Sequence, residues 1–199
     1  MRRGSIFLMA CVFVLFAGAP KAFAVFTFTI QQVGPNVTVS GSGSLTTNFL
    51  SGGINVAAQI GNAIDSANAE ILIGTDVVYN EYPVAFTGAT NFGSTTDQTF
   101  VPNSFSGTLI GVWRSNINYL FIPGGYTSGM VVTNSATFNN KTFASMNLVP
   151  GIYTENYTYG TVPFNGADTI IINVSPEPAT LGVLILPAMV LFRRPVKMR

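Results

Sequence analysis

The chain contains no histidine, which removes the commonest general base and the commonest metal ligand together. A zinc hydrolase, a Ser/His/Asp hydrolase and a Cys/His protease are excluded by inventory alone, and no metal or cofactor is implied. The single cysteine, Cys11, sits in the N-terminal apolar run, so no disulfide framework can form and packing alone must hold the fold. Charge is scarce too, with Asp, Glu, Lys and Arg making up 9% of the residues. Between Val25 and Ser175 the only cations are Arg114 and Lys141. They stand against Asp65, Glu70, Asp76, Glu81, Asp97, Glu155 and Asp168, a net charge of −5 over 151 residues. A segment of that sign cannot supply a row of phosphate contacts, so nucleic acid and anionic lipid are disfavoured as partners.

Long apolar runs are missing from the middle and present at both ends. Arg2 and Arg3 precede an apolar stretch from Ile6 to Ala19, and Ala22-Phe23-Ala24 is a small-x-small site. This is the pattern of a secretory signal peptide, and it predicts cleavage between Ala24 and Val25. Leu8-Met9-Ala10-Cys11 does not make a lipidation box, because few residues precede Cys11 and the apolar run continues well beyond it. Three parts follow: a signal peptide over 1–24, one domain of ordinary size over 25–175, and a tail over 176–199.

Within the domain, period-two alternation is the dominant signal. Phe26, Phe28 and Ile30 oppose Thr27 and Thr29, and Val37 and Val39 oppose Asn36, Thr38 and Ser40. Ala69 to Gly74, Thr108 to Trp113, Ile117 to Ile122, Val131 to Phe138, Ile152 to Tyr159 and Thr169 to Val174 are further strand candidates, rich in β-branched and aromatic residues. Gly34-Pro35-Asn36, Gly52-Gly53, Pro123-Gly124-Gly125, Asn139-Asn140 and Pro150-Gly151 supply the turns between them. The expected fold is all-β, an antiparallel β-sandwich of jelly-roll or Ig-like type, flanked by a signal-peptide helix and a hydrophobic C-terminal helix. Ile60, Ala63, Ile64 and Ala67 have helical spacing, but Gly61, Asn62, Ser66 and Asn68 dilute it.

Leu148-Val149-Pro150-Gly151-Ile152-Tyr153 has the form of a sandwich corner in which a tyrosine hydroxyl bonds back to nearby backbone. Tyr157 and Tyr159 share a strand face with Tyr153, and Glu155 stands between them. Aromatic faces beside a carboxylate suit a pyranose ring, so Tyr153, Tyr157, Tyr159 and Trp113 are candidate sugar-stacking residues. The competing reading is an aromatic core face, since cross-strand aromatics commonly stabilise sheets.

The tail opens on Ser175-Pro176-Glu177-Pro178, runs apolar from Ala179 to Phe192 and ends on Arg193, Arg194, Lys197 and Arg199. The apolar run is fourteen residues, about 21 Å as a helix against a hydrocarbon core of ~30 Å. Pro187 weakens that helix further, and the basic end favours the cytoplasmic side. Such a stretch suits a temporary halt better than a permanent anchor. Short motif, apolar run and basic stop together resemble the PEP-CTERM sorting signal of exported bacterial proteins.

Four stretches extend the likeness into the domain: Gly41-Ser42-Gly43-Ser44-Leu45, Phe121 to Gly129, Ala136 to Phe138 with Thr142 to Met146, and Val149 to Thr154. Their order resembles one group of small PEP-CTERM proteins, except that Tyr157 and Tyr159 stand where tryptophans would be expected. The resemblance implies recognition of Pro176, Glu177 and Pro178 by an exosortase, an integral-membrane cysteine enzyme, after transient residence in the inner membrane. It further implies delivery to the envelope, surface or extracellular matrix of a Gram-negative bacterium, in association with exopolysaccharide, and it brings no catalytic residue.

Three functions are open at this stage: a non-catalytic exported surface or matrix protein, a carbohydrate-binding module using the aromatic residues above, and a carboxylate glycosidase. The last needs two acids a set distance apart, one with a raised pKa, and Glu155 and Asp97 are the acids that would be substituted to detect it.

Overall fold

The structure, a computed structural model, describes residues 24–57, 61–93, 95–114, 117–159 and 167–176. The signal-peptide and C-terminal helices expected from the sequence fall outside these residues, and among the described residues no helix is long and apolar enough to cross a membrane.

The described residues form fourteen strands, numbered along the chain, in two seven-stranded sheets. The first sheet runs β7 (Ala85–Gly88), β13 (Gly151–Thr158), β14 (Ala167–Ser175), β1 (Val25–Val33), β2 (Asn36–Gly43), β12 (Val132–Phe138), β9 (Ser104–Gly107). The second runs β3 (Ile54–Ala57), β6 (Val78–Pro83), β11 (Asn118–Pro123), β10 (Ile110–Arg114), β5 (Glu70–Ile73), β4 (Ala63–Asp65), β8 (Thr99–Phe100). All eight strands expected from the alternation are present.

In the first sheet the alternation sets the register. Phe26, Phe28 and Ile30 are completely buried, and they pair with Ile170, Ile172 and Val174. The central outward positions of β1, β2 and β12 are Thr, Ser and Gln, with Val25 and Val33 at the ends of β1: Thr27 opposite Ser42, Thr29 opposite Ser40, Gln31 opposite Thr38, with Thr133, Ser135 and Thr137 beyond. Slipping any of these strands by one residue would turn its apolar set into water. One pairing departs from the antiparallel expectation, because β1 and β14 run parallel. They come from opposite ends of the domain, so no hairpin fixes their relative direction.

Both sheets contribute to one buried cluster. Phe28, Val39, Phe138 and Ile172 of the first sheet share it with Ile64, Ile71, Ile73, Val112, Leu120 and Ile122 of the second. The second sheet also has a largely buried outer face, where Leu72, Tyr79, Leu109 and Phe121 form a separate cluster with Val56, Trp113 and Tyr119 packed on it. Strand β5 is therefore buried at all four positions.

The helical spacing around Ile64 is a strand and a turn instead. Residues Ala63–Asp65 form β4, and Asp65 then accepts the Ala67 N–H at 2.9 Å and the Asn68 side-chain amide at 3.1 Å. An aspartate that bonds its own neighbouring backbone competes with the helical ladder and wins over so diluted a pattern.

Candidate functional site

The tyrosines of β13 come first, because the sequence placed a binding surface on them. Tyr157 is completely buried, and its hydroxyl donates to the Thr46 carbonyl at 3.0 Å. Asp168, itself buried, accepts the Thr46 N–H at 2.5 Å and lies 3.3 Å from the same hydroxyl. Burial, with the negative Asp168 beside it, pushes the Tyr157 hydroxyl far above its usual pKa. Tyr153 is half-buried against the core, packs at a tilt against Phe92, and donates to the Val149 carbonyl at 2.8 Å, the bond back to backbone that the turn predicts. The Tyr157 ring offers no open face to a sugar, which corrects the platform reading for that residue; Tyr153 is half-buried, as is Tyr159 just past the end of β13. Strand alternation placed Tyr153, Glu155 and Tyr157 on one face correctly, but that face points inward.

Glu155, on the same face, is also completely buried and forms an ion pair with Arg114. The guanidinium lies over the Phe86 ring, 5.2 Å from its centroid. Burial raises the Glu155 carboxyl to about 7 against the opposing pull of Arg114. A carboxylate sealed in the core cannot touch a substrate, so Glu155 is not the acid of a glycosidase.

Trp113 stands apart from these. Along β10, Ile110 and Val112 enter the common core, while Trp113 packs on the outer cluster of the second sheet. Its cross-strand partner is Tyr119, and Phe121 lies two residues further along β11 opposite Gly111, with Glu81 of β6 beyond it. A Cβ at Gly111 would come 2.2 Å from Leu72 Cδ1, so glycine is what lets Leu72 lie across this row. Trp113, Tyr119 and Phe121, with Glu81, Thr99 and Val101, line a shallow hollow of about 410 Å³.

A second hollow of about 350 Å³ adjoins it and shares Trp113 and Thr99. Its walls carry Asp65, Glu70 and Asp97, brought together because Asp65 faces Glu70 across the β4–β5 pair and Thr99 across the β4–β8 pair. Glu70 Oε1 accepts the Arg114 backbone N–H at 2.8 Å. Burial raises the Glu70 carboxyl to about 7, and the neighbouring Asp65 and Asp97 add to the rise while the Arg114 N–H opposes it. The adjacent Asp65 carboxyl likewise holds the Asp97 carboxyl above its usual range. Among the described residues no group of three or more His, Cys, Asp or Glu side chains has the arrangement of a metal site.

The chain matches no family model, no curated protein and no solved structure.

Of the residues expected from the sequence to direct processing, Val25 begins β1, Ala24 directly precedes it and Pro176 directly follows β14; Ala22, Glu177, Pro178, Arg193, Arg194, Lys197 and Arg199 lie outside the described residues. The Gly41–Leu45 and Phe121–Gly129 stretches meet in space. Leu45 N–H donates to the Tyr126 hydroxyl at 2.7 Å, that hydroxyl donates to the Met130 carbonyl at 2.8 Å, and Gly129 N–H donates to the Leu45 carbonyl at 2.9 Å. Their contacts are those of a structural brace.

Sequence reading found Trp113 but missed Glu81, Tyr119 and Phe121. A signal was present: Asn118–Pro123 is apolar at both Leu120 and Ile122 and, on the opposite face, aromatic at Tyr119 and Phe121. A strand whose two faces are both non-polar marks either a second core or a binding face.

Proposed function

We propose that the chain is a non-catalytic exported protein of the bacterial cell surface or extracellular matrix, sorted by a PEP-CTERM tail that an exosortase processes at the inner membrane. The observation that carries this reading is the position of the sheet between the two processing points. Strand β1 begins at Val25, the residue after the expected signal cleavage, and β14 ends at Ser175, the residue before Pro176-Glu177-Pro178. Both ends can be cut without taking a described strand from the fold. The parallel pairing adds a geometric point. Val25 lies opposite Thr169, and Ser175 lies six residues further on, about 20 Å along the strand direction. The tail leaves the domain well away from the mature N-terminus, so one end can sit at the membrane while the other is already free.

The finer architecture proposed with it is a two-layer sandwich of jelly-roll or Ig-like type, supported by the common core that both sheets share. Such a domain suits life outside the cell without disulfides. Its first sheet presents uncharged Thr, Ser and Gln side chains on three neighbouring strands, a surface compatible with a hydrated polysaccharide matrix.

Intact mass spectrometry of the protein recovered from its native envelope tests the proposal. The expected product starts at Val25 and lacks the basic end, with any group added at the second cut visible as extra mass. Recovery of the chain with Arg193 to Arg199 still attached, or an unchanged destination after deletion of 176–199, would overturn it.

A further inference from the structure

We infer that the paired hollows on the outer face of the second sheet form a binding site for a neutral glycan chain, with Trp113 as its stacking surface. The inference concerns the folded domain and does not depend on the tail, so binding and sorting can stand or fall separately.

The argument starts from what the outer face would look like if it were only structure. A sheet face exposed to water ordinarily carries polar and charged side chains, as the middle of β1, β2 and β12 does with Thr, Ser and Gln. The outer face of β11, β10 and β6 carries Tyr119, Phe121, Trp113 and Tyr79 instead, all at least half-buried. Tyr79 and Phe121 are spent on each other, with ring centroids 5.8 Å apart, and Tyr119 packs against Phe121 at 6.2 Å. Trp113 lies at the junction where both hollows meet. The aromatic cluster thus supports a tryptophan that borders open space on two sides.

The polar groups that would contact a ligand are mostly carboxyl acceptors, joined by the Asn68 amide and the Thr99 hydroxyl. Glu81 lines one hollow, and Asp65, Glu70 and Asp97 line the other, with Thr99 between. The Arg114 side chain, which also borders the second hollow, is turned into the core by its pair with Glu155. A ligand here meets the half-buried Trp113 indole flanked by carboxyl groups, a set that suits the apolar face of a pyranose and the hydroxyls around its rim. It repels phosphate, sulfate and uronate alike, because the flanking groups and the domain as a whole are acidic. Two adjoining hollows of about 410 and 350 Å³ sharing one tryptophan fit successive residues of a chain better than a single small molecule. Neutral polysaccharide is the occupant these observations favour.

Trp113 is the only tryptophan in the chain, so its emission reports on this place alone. The full-length chain, kept in a detergent without a sugar headgroup, is titrated with a soluble neutral β-glucan, a neutral chitin oligosaccharide and, as the charged comparison, a polygalacturonate. Binding is followed by Trp113 fluorescence and by calorimetry. The expected result is a saturable response to at least one neutral glycan and none to the polyuronate. Trp113→Ala should weaken the calorimetric affinity roughly tenfold or more. Because that variant removes a packed ring, Thr99→Arg serves as the second: Thr99 is exposed on the edge strand β8, and a long side chain there fills the shared wall of the hollows without disturbing either core. It should abolish binding and leave the thermal midpoint unchanged, whereas Tyr159→Ala should leave binding intact. No response to any glycan, equal response to the polyuronate, full affinity in a folded Thr99→Arg protein, or loss of affinity in Tyr159→Ala would each overturn the inference.

Discussion

The Asn62 side chain pairs with the backbone of Gly74 as a neighbouring strand would: its amide donates to the Gly74 carbonyl at 2.9 Å, and the Gly74 N–H donates to Asn62 Oδ1 at 2.6 Å. Asn62 is buried, and Gly74 is held at φ +142°, with no room for a Cβ beside the Leu109 backbone. One amide therefore satisfies a donor and an acceptor at a point where the chain turns out of β5 and no strand can. Asn62→Ala leaves both Gly74 groups buried without partners, and should lower stability by about 2–4 kcal/mol. Asn62→Asp keeps the acceptor but sets an oxygen against the Gly74 carbonyl, so it should be no better than the alanine. Chemical denaturation of the two variants measures this; an aspartate variant as stable as the parent would show that the amide donor contributes nothing.

The hydroxyls of Tyr153 and Tyr157 brace the first sheet, and their removal should be felt in stability. Tyr157→Phe keeps the ring, which packs against Phe49 at 5.7 Å, and removes the donor to the Thr46 carbonyl. A cost of about 1–2 kcal/mol is expected, and somewhat less for Tyr153→Phe, whose hydroxyl lies closer to solvent. Glycan affinity should be untouched in both. If Tyr157→Phe binds glycan more weakly at unchanged stability, the assignment of this residue to the core is wrong.

The contrast between Trp113 and Tyr157 shows how far the sequence could be read. Alternation told which residues share a face, and for Phe26, Phe28 and Ile30 it also told which face is inward, because Thr27 and Thr29 oppose them. On β13 the opposing residues are Ile152, Thr154 and Asn156, and nothing in so mixed a set says that Tyr153, Glu155 and Tyr157 point into the core. The short strands β3, β4, β6, β7, β8 and β9 escaped because two to six residues carry too little pattern, and Asn62 and Asp65 supply backbone partners that no spacing reveals. The acidic hollow was hidden for a different reason. Asp65 and Glu70 approach through a hairpin, but Asp97 reaches them only through β8, which is two residues long.

Stability should fall as pH rises through the neutral range. Glu70 and Glu155 both have carboxyls raised from 4.5 to about 7 in the folded domain, chiefly by burial. Between these values the native state holds protons that the unfolded chain has released, so the free energy of unfolding decreases with rising pH across that window and levels off above about 7. The effect is on the order of 1–3 kcal/mol for each group. The thermal midpoint should therefore be higher at pH 5 than at pH 8, and Glu70→Gln, which keeps an acceptor for the Arg114 N–H, should flatten part of the slope. A midpoint that climbs from pH 5 to pH 8 would contradict the assignment. Removing one partner of the buried pair acts on the same slope: Glu155→Ala strands the Arg114 charge and should cost about 3–5 kcal/mol at pH 8, where both partners are ionised, and more at pH 5, because the variant also lacks the Glu155 proton that stabilises the native state there.

Gly111 is where stability and the hollow meet. It sits between Phe121 and Leu72 in a row that continues to Glu81 on one side and Ala63 on the other. An added Cβ would meet Leu72 Cδ1 at 2.2 Å and the Ile71 carbonyl oxygen at 2.8 Å, so the leucine side chain must swing away and the β5 backbone must give as well. Gly111→Ala should cost about 1–3 kcal/mol through this crowding. Because Leu72 packs in the same cluster as Trp113 and Phe121, the displaced leucine should also disturb the tryptophan's surroundings and shift its emission in the absence of any ligand. Leu72→Ala, combined with Gly111→Ala, relieves the contact while opening a cavity. The double variant should recover the parental emission more fully than the parental stability, and recovery of neither would place the strain in the Ile71 backbone instead of the Leu72 side chain.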